Sequence, residues 1–255
     1  MTRKSSSFGP VYSSPAEVLD WAPPQATSVK AINVLVNRDT GAGYPTLARN
    51  VARFQGARCA WQDAGVPNDL APGLLIASPG MNCPFFSYTV VLLVEHSEDG
   101  ALGFVINRPT DTPVTSLLEG LEVEDLGEHL PGEVWVGGPV APDTGWVLFD
   151  PTSGNTEEVE AVELCPRLAV SASHTFLEHI AAGRGPSQYA LLLGYAGWGP
   201  GQLDDEIRSG SWIPIDLDAA LVFDAAPEDC WREGLATLGI DPARVVGIAG
   251  GVAEA

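Results

Sequence analysis

Beyond Lys30 the 255-residue chain contains no lysine, and from residue 70 onward six arginines stand against twenty-eight Asp and Glu. That scarcity of cations argues against whole classes of partner. Nucleic-acid binding depends on Lys and Arg displacing counterions from the phosphate backbone, and residues 70–255 carry a net charge of −22, so direct nucleic-acid contact is not expected. An acidic surface also serves solubility. Cysteine is sparse as well: Cys59, Cys83, Cys165 and Cys230 lie far apart without a CxxC pair, which leaves neither a zinc knuckle nor a dithiol redox motif. They are read as thiols. No run reaches the roughly 18 uncharged apolar residues that a membrane span requires, and the N-terminal residues lack the apolar centre of a secretory signal. A soluble cytoplasmic protein without membrane contact is the expectation.

The spacings that mark common chemistries are missing too. HExxH and GxSxG do not occur, so neither a metalloprotease nor a serine hydrolase is written here, and no metal or cofactor is expected. The segment LLLGYAGWGPGQLDDEI, residues 191–207, clusters glycines at 194, 197, 199 and 201, which fits neither GxxxxGK[ST] nor GxGxxG. Asp204, Asp205 and Glu206 then occupy the first turns of an expected helix, where carboxylates answer the positive end of the dipole and repel an anion. The segment therefore reads as a strand-to-helix corner. Gly197 and Gly199 permit close backbone approach, Pro200 opens the helix, and Trp198 plugs the core beside Tyr195.

What is present divides in two. Residues 1–69 carry seven Lys/Arg and five Asp/Glu and offer no assembled core. Three readings stay open for them: a flexible extension, a small element added to the main domain, or sequence upstream of a true start near Val66. Mass spectrometry of the native N-terminus separates the last from the others. From residue 70 the pattern is strict, and residues 70–255 read as one domain. LLIAS, TVVLLVE, GFVIN, EVWVG, GWVLF, RLAVS, ALLLG and AALVF are short runs of Val, Leu and aromatics bounded by turn residues, predicting about eight strands. Helices are expected over residues 114–119, 174–182 with Ser173 as N-cap, 200–209 and 228–238, with a last turn opened by Asp241-Pro242. Asp99-Gly100 suits a hairpin between two of the strands. Strands without regular crossover helices predict an α+β fold with a mixed, largely antiparallel sheet and a few flanking helices.

EHSEDGALGFVINRP, residues 95–109, is the first candidate site: the hairpin could bring Glu95 and His96 near Asn107 and Arg108. Adjacent strand residues point to opposite faces, so His96 needs a partner other than Glu95. Arg108, a rare cation, is expected to pair with a carboxylate and fix the turn, or else to bind a substrate anion. Gln202 and Glu206, four apart on one helical face, are either a solvated pair or the lining of a cleft at the strand ends. His174 and His179 are spaced too far apart around their helix to act together. Cys83, in the loop SPGMNCPFF, reads as a small packed or inert surface thiol.

Four ordered blocks, LLIASPGMNCPFFSYTVVLLVEH, GALGFVINRP, VWVGGPVAPDTGWVL and LGYAGWGPGQLDDEI, resemble the YqgE/AlgH family of bacterial proteins, also called UPF0301 or DUF179, over about residues 70–250. The resemblance implies a compact α+β fold with a barrel-like sheet in the bacterial cytosol. It implies little chemistry; part of the family's name comes from a proposed regulatory role, which in so acidic a chain would act through a small molecule or a protein. The family pattern carries over to Glu95, His96, Asn107, Arg108, Gly137, Gly138, Asp143, Gln202 and Glu206, with the glycines in structural roles. The chain departs from it where an Asp usually precedes Pro84 (here Cys83), where an Arg is Tyr88, and where an Arg and a His are Thr144 and Phe149. Ionisable groups are thereby lost. The leading expectation is a non-enzymatic regulatory or binding module; the alternative is a hydrolase or transferase acting on a small ligand near His96, Arg108, Gln202 and Glu206. The two differ in whether these side chains converge on one concave pocket.

Overall fold

A computed structural model describes residues 70–120, 130–156 and 159–241. The expected N-terminal extension over residues 1–69 and the turn after Asp241 lie outside the described residues. Seven of the eight apolar runs are strands, because each alternates buried side chains between two packed faces. They are β1 (Gly73–Ala77), β2 (Val90–Ser97), β3 (Gly100–Val105), β5 (Glu133–Val136), β6 (Val140–Phe149), β8 (Leu168–Ser171) and β9 (Tyr189–Trp198). Three further strands were not predicted: β4 (Pro109–Pro113), β7 (Val162–Cys165) and β10 (Trp212–Asp216). Prolines obscured two of these. Pro214 sits opposite Leu75, and among the described strands β10 pairs with β1 alone, so the missing N–H of Pro214 can face away from that ladder.

The eighth run, AALVF, is a helix, which corrects the strand expectation. Helices α1 (Val114–Gly120), α2 (His174–Ala181), α3 (Gln202–Arg208), α4 (Ala219–Phe223) and α5 (Pro227–Thr237) flank the sheet. Asp218 caps α4 by accepting a hydrogen bond from the Ala220 N–H, so a five-residue apolar run with an N-cap becomes a turn of helix. Ser173 caps α2 as expected, accepting from Phe176, and Gly183 just past it takes φ +71°.

The strand order is β10-β1-β2-β3-β9-β6-β8-β7, with β4 on β5 and β5 on β9. Only the β5–β9 pair is parallel among the described pairs. The sheet curls into a half-barrel. One apolar cluster draws on β1, β2, β3, β6, β8 and β9 together with Leu221, Trp231 and Leu235 of α4 and α5. Strands so far apart in the order share a cluster only on the concave face, so these two helices cover the open side. The convex face divides: α1 and α2 pack on the β5/β6/β8 half, and α3 with residues 81–86 packs on the β1/β2/β3 half.

β9 joins the two halves. Its first part lies between β5 and β6; its last residues pair with Ala101–Gly103 of β3. At the changeover Gly194 takes φ +72°, and a Cβ there would stand 2.4 Å from the Gly138 carbonyl oxygen. A Cβ on Gly138 would stand 2.0 Å from the Tyr195 carbonyl carbon, and one on Gly137 2.4 Å from the Gly194 carbonyl oxygen. Backbones cross here at a separation that side chains would forbid.

Candidate functional site

The register of β2 decides where the candidate histidine points. Leu93 pairs with Gly103 but Glu95 with Leu102, so Val94 is an extra, bulged residue. The bulge reverses the alternation: Glu95 shares the face of Leu102, and His96, opposite Ala101, turns to the convex face under α3. There its Nε2 lies 3.4 Å from Asp204 of α3, with the side chain 10% exposed. Nδ1 is buried and has no hydrogen-bond partner among the described residues. Asp204 is thus the partner that His96 required, and sequence reasoning had assigned that carboxylate to the helix dipole.

Glu206 does pair with Gln202 at the exposed face of the helix, but its other oxygen is held by the fold. Its Oε2 accepts from the indole N–H of Trp198 at 2.9 Å and of Trp212 at 2.8 Å, and its Oε1 accepts from the Gln202 amide at 2.8 Å. Gln202 in turn accepts from the Gly199 N–H at 3.1 Å. The carboxylate therefore ties β9, α3 and β10 together. Trp212 would have been hard to find from sequence, because its strand was masked by Pro214. The corner differs from expectation in two more ways. Pro200 precedes the helix instead of opening it, with Gly201 at φ +70° as the N-cap. Trp198 packs on the convex face with Leu203 and Trp212, whereas Tyr195 belongs to the concave side.

Asn107 and Arg108 do a similar job at the opposite end of the same strands. The Asn107 side chain accepts from the Val90 N–H and donates to the Tyr88 carbonyl, both at 2.9 Å. Arg108 donates to the Ser87 carbonyl at 3.0 Å, and its guanidinium carbon lies 5.8 Å from the centre of the Phe85 ring. No carboxylate pairs with it among the described residues, contrary to expectation. Burial pulls its pKa below the ordinary guanidinium value, and the nearby Cys83 sulfur opposes that shift. Tyr88 completes this end: 53% exposed, at φ +60°, its ring edge-on to Trp231 at 4.9 Å.

The two groups do not converge, which corrects the expectation of one cleft. The hairpin turn lies beside His96, while Asn107 binds Val90, six residues earlier along β2; at about 3.3 Å per residue the separation is roughly 20 Å. Asp143 lies half-buried on β6, between the Val140 and Gly145 pairings with β9. Gly137 and Gly138 stand at the close crossing with β9, but a Cβ on Gly199 would approach nothing nearer than Gln202 at 3.8 Å, and one on Gly197 would meet the Tyr195 ring at 3.3 Å. An open cleft of about 350 Å³ between α4 and α5, lined by Asp218, Asp224 and Glu233, contains none of the candidates. Among the described residues no group of three or more His, Cys, Asp or Glu could hold a metal ion. No described helix is long and apolar enough to cross a membrane.

Sequence reasoning missed one buried ion pair. Asp150 is 3% exposed and accepts from the Thr152 N–H, the Thr152 hydroxyl and Arg167 Nε at 3.0 Å. Burial raises its pKa, but the Thr152 and Arg167 hydrogen bonds outweigh that and hold it below the ordinary carboxylate range. Of the departures from the family pattern, Thr144 has a buried hydroxyl without a partner among the described residues, and the Phe149 ring packs tilted against Phe176, centroids 4.6 Å apart.

The sequence profile described as "AlgH-like" matches residues 74–243. A "UPF0301 protein" of Anaeromyxobacter dehalogenans is 44% identical over 195 residues, covering 74% of this chain and 98% of that one. One from Paraburkholderia phytofirmans is 43% identical over 186 residues, covering 71% and 95%. Among solved structures, the AlgH protein of Pseudomonas aeruginosa superposes with a TM-score of 0.59 at 37% identity, covering 76% of this chain and all of that one. The protein DIP2367 of Corynebacterium diphtheriae, at 24% identity and a TM-score of 0.53, shares the fold over 69% of this chain and 90% of its own. With the four sequence blocks, the half-barrel and these relatives in agreement, the chain belongs to the AlgH-like family.

Proposed function

We propose that this protein is a non-enzymatic regulatory or binding module of the cytoplasm that takes a small molecule or another protein as its partner and does not contact nucleic acid directly. One observation carries the reading: the ionisable side chains that an active site would gather stand in two groups roughly 20 Å apart along β2. Within each group the polar atoms brace the fold, Glu206 through two indoles and Asn107 through the backbone of residues 88–90. The free thiols of Cys83, Cys165 and Cys230 suit a reducing compartment. A thermal-shift screen of metabolites and nucleotides on the full chain tests the reading, since a ligand held by the native state alone raises the melting temperature. A stabilising ligand recovered unchanged is the expected result; its conversion to product would overturn it. Mobility-shift assays at low salt are expected to show no retarded duplex, and a retarded one would contradict the exclusion of nucleic acid.

A second reading, a hydrolase or transferase acting near His96, draws on the His96–Asp204 contact, which orients one ring nitrogen toward a carboxylate. It predicts turnover of a screened ligand that His96→Gln abolishes without lowering the melting temperature. Turnover indifferent to that change would remove it.

A further inference from the structure

We draw no further inference here: the strongest candidate, the open cleft between α4 and α5 whose wall carries Asp218, Asp224 and Glu233, is an acidic cluster in which Asp218 caps α4 and Asp224 meets Arg167, and nothing else among the described residues points to a ligand there.

Discussion

Glu206 shows how a carboxylate placed like a cleft residue can be wholly occupied by structure. Two indole N–H groups and one amide converge on it, so removing it strands donors that are partly buried. Glu206→Ala is expected to lower stability by about 2 kcal/mol in urea unfolding and to shift the tryptophan emission to the red as Trp198 and Trp212 gain water. An unchanged midpoint would mean that water replaces the carboxylate without loss. The thiols separate as cleanly. Cys83 is exposed, while burial, reinforced by the charge of Glu233, pushes the Cys230 thiol up to about 12. Iodoacetamide followed by peptide mass spectrometry should therefore modify Cys83 in the native protein and Cys230 only after unfolding. Early modification of Cys230 would show that α5 opens readily.

At the scale of elements, the seam between the two halves of the sheet is the most demanding place in the fold. β9 must leave β5 and β6 and reach β3, and it does so where Gly137 and Gly138 cross Gly194 and Tyr195 with no room for a Cβ. Gly138→Ala is expected to destabilise by about 3 kcal/mol or more, since backbone and not a flexible side chain stands in the way. Gly199→Ala, whose added methyl would meet only the Gln202 side chain at an ordinary contact distance of 3.8 Å, is expected to stay within about 0.5 kcal/mol. Thermal melts of both variants test the contrast; equal losses would refute the crossing as its cause. Elements also account for the misreadings. AALVF is too short for its periodicity to separate strand from helix, and the Asp218 cap tipped it to helix. β4 and β10 contain proline, a strand breaker that edge positions tolerate.

At the scale of the whole molecule, a small polar network spans the sheet and a covering helix. Arg167, in the β7–β8 turn, reaches Asp150 after β6, Asp224 at the end of α4 and Gln188 before β9, so it ties the covering helix to the sheet. The Asp150 carboxyl has a folded pKa below its unfolded value of about 3.9, so the folded state releases this proton more readily than the unfolded chain. Its contribution is therefore fully present above the unfolded value and is lost as pH falls from there through the folded pKa. The wild type should lose stability more steeply than Asp150→Asn as the pH is lowered from about 4, and the two should differ by a constant amount near neutrality. Denaturation curves at a series of pH values read this directly. Parallel curves for the two proteins would place the acid sensitivity in other carboxylates.

The amino-acid order alone carried the fold class, seven of the strands, the N-cap of α2 and the family, because alternation, capping and ordered blocks are local signals that need no partner to be read. It also carried the identities of the candidate side chains, though not their company. A single extra residue at Val94 turned His96 from one face of the sheet to the other, and the length of β2 kept Arg108 at the far end from it. Contacts such as His96 with Asp204 and Arg167 with Asp150 join residues distant in the chain. Only the curl and register of the sheet bring them within hydrogen-bonding reach, and those depend on how every strand packs at once.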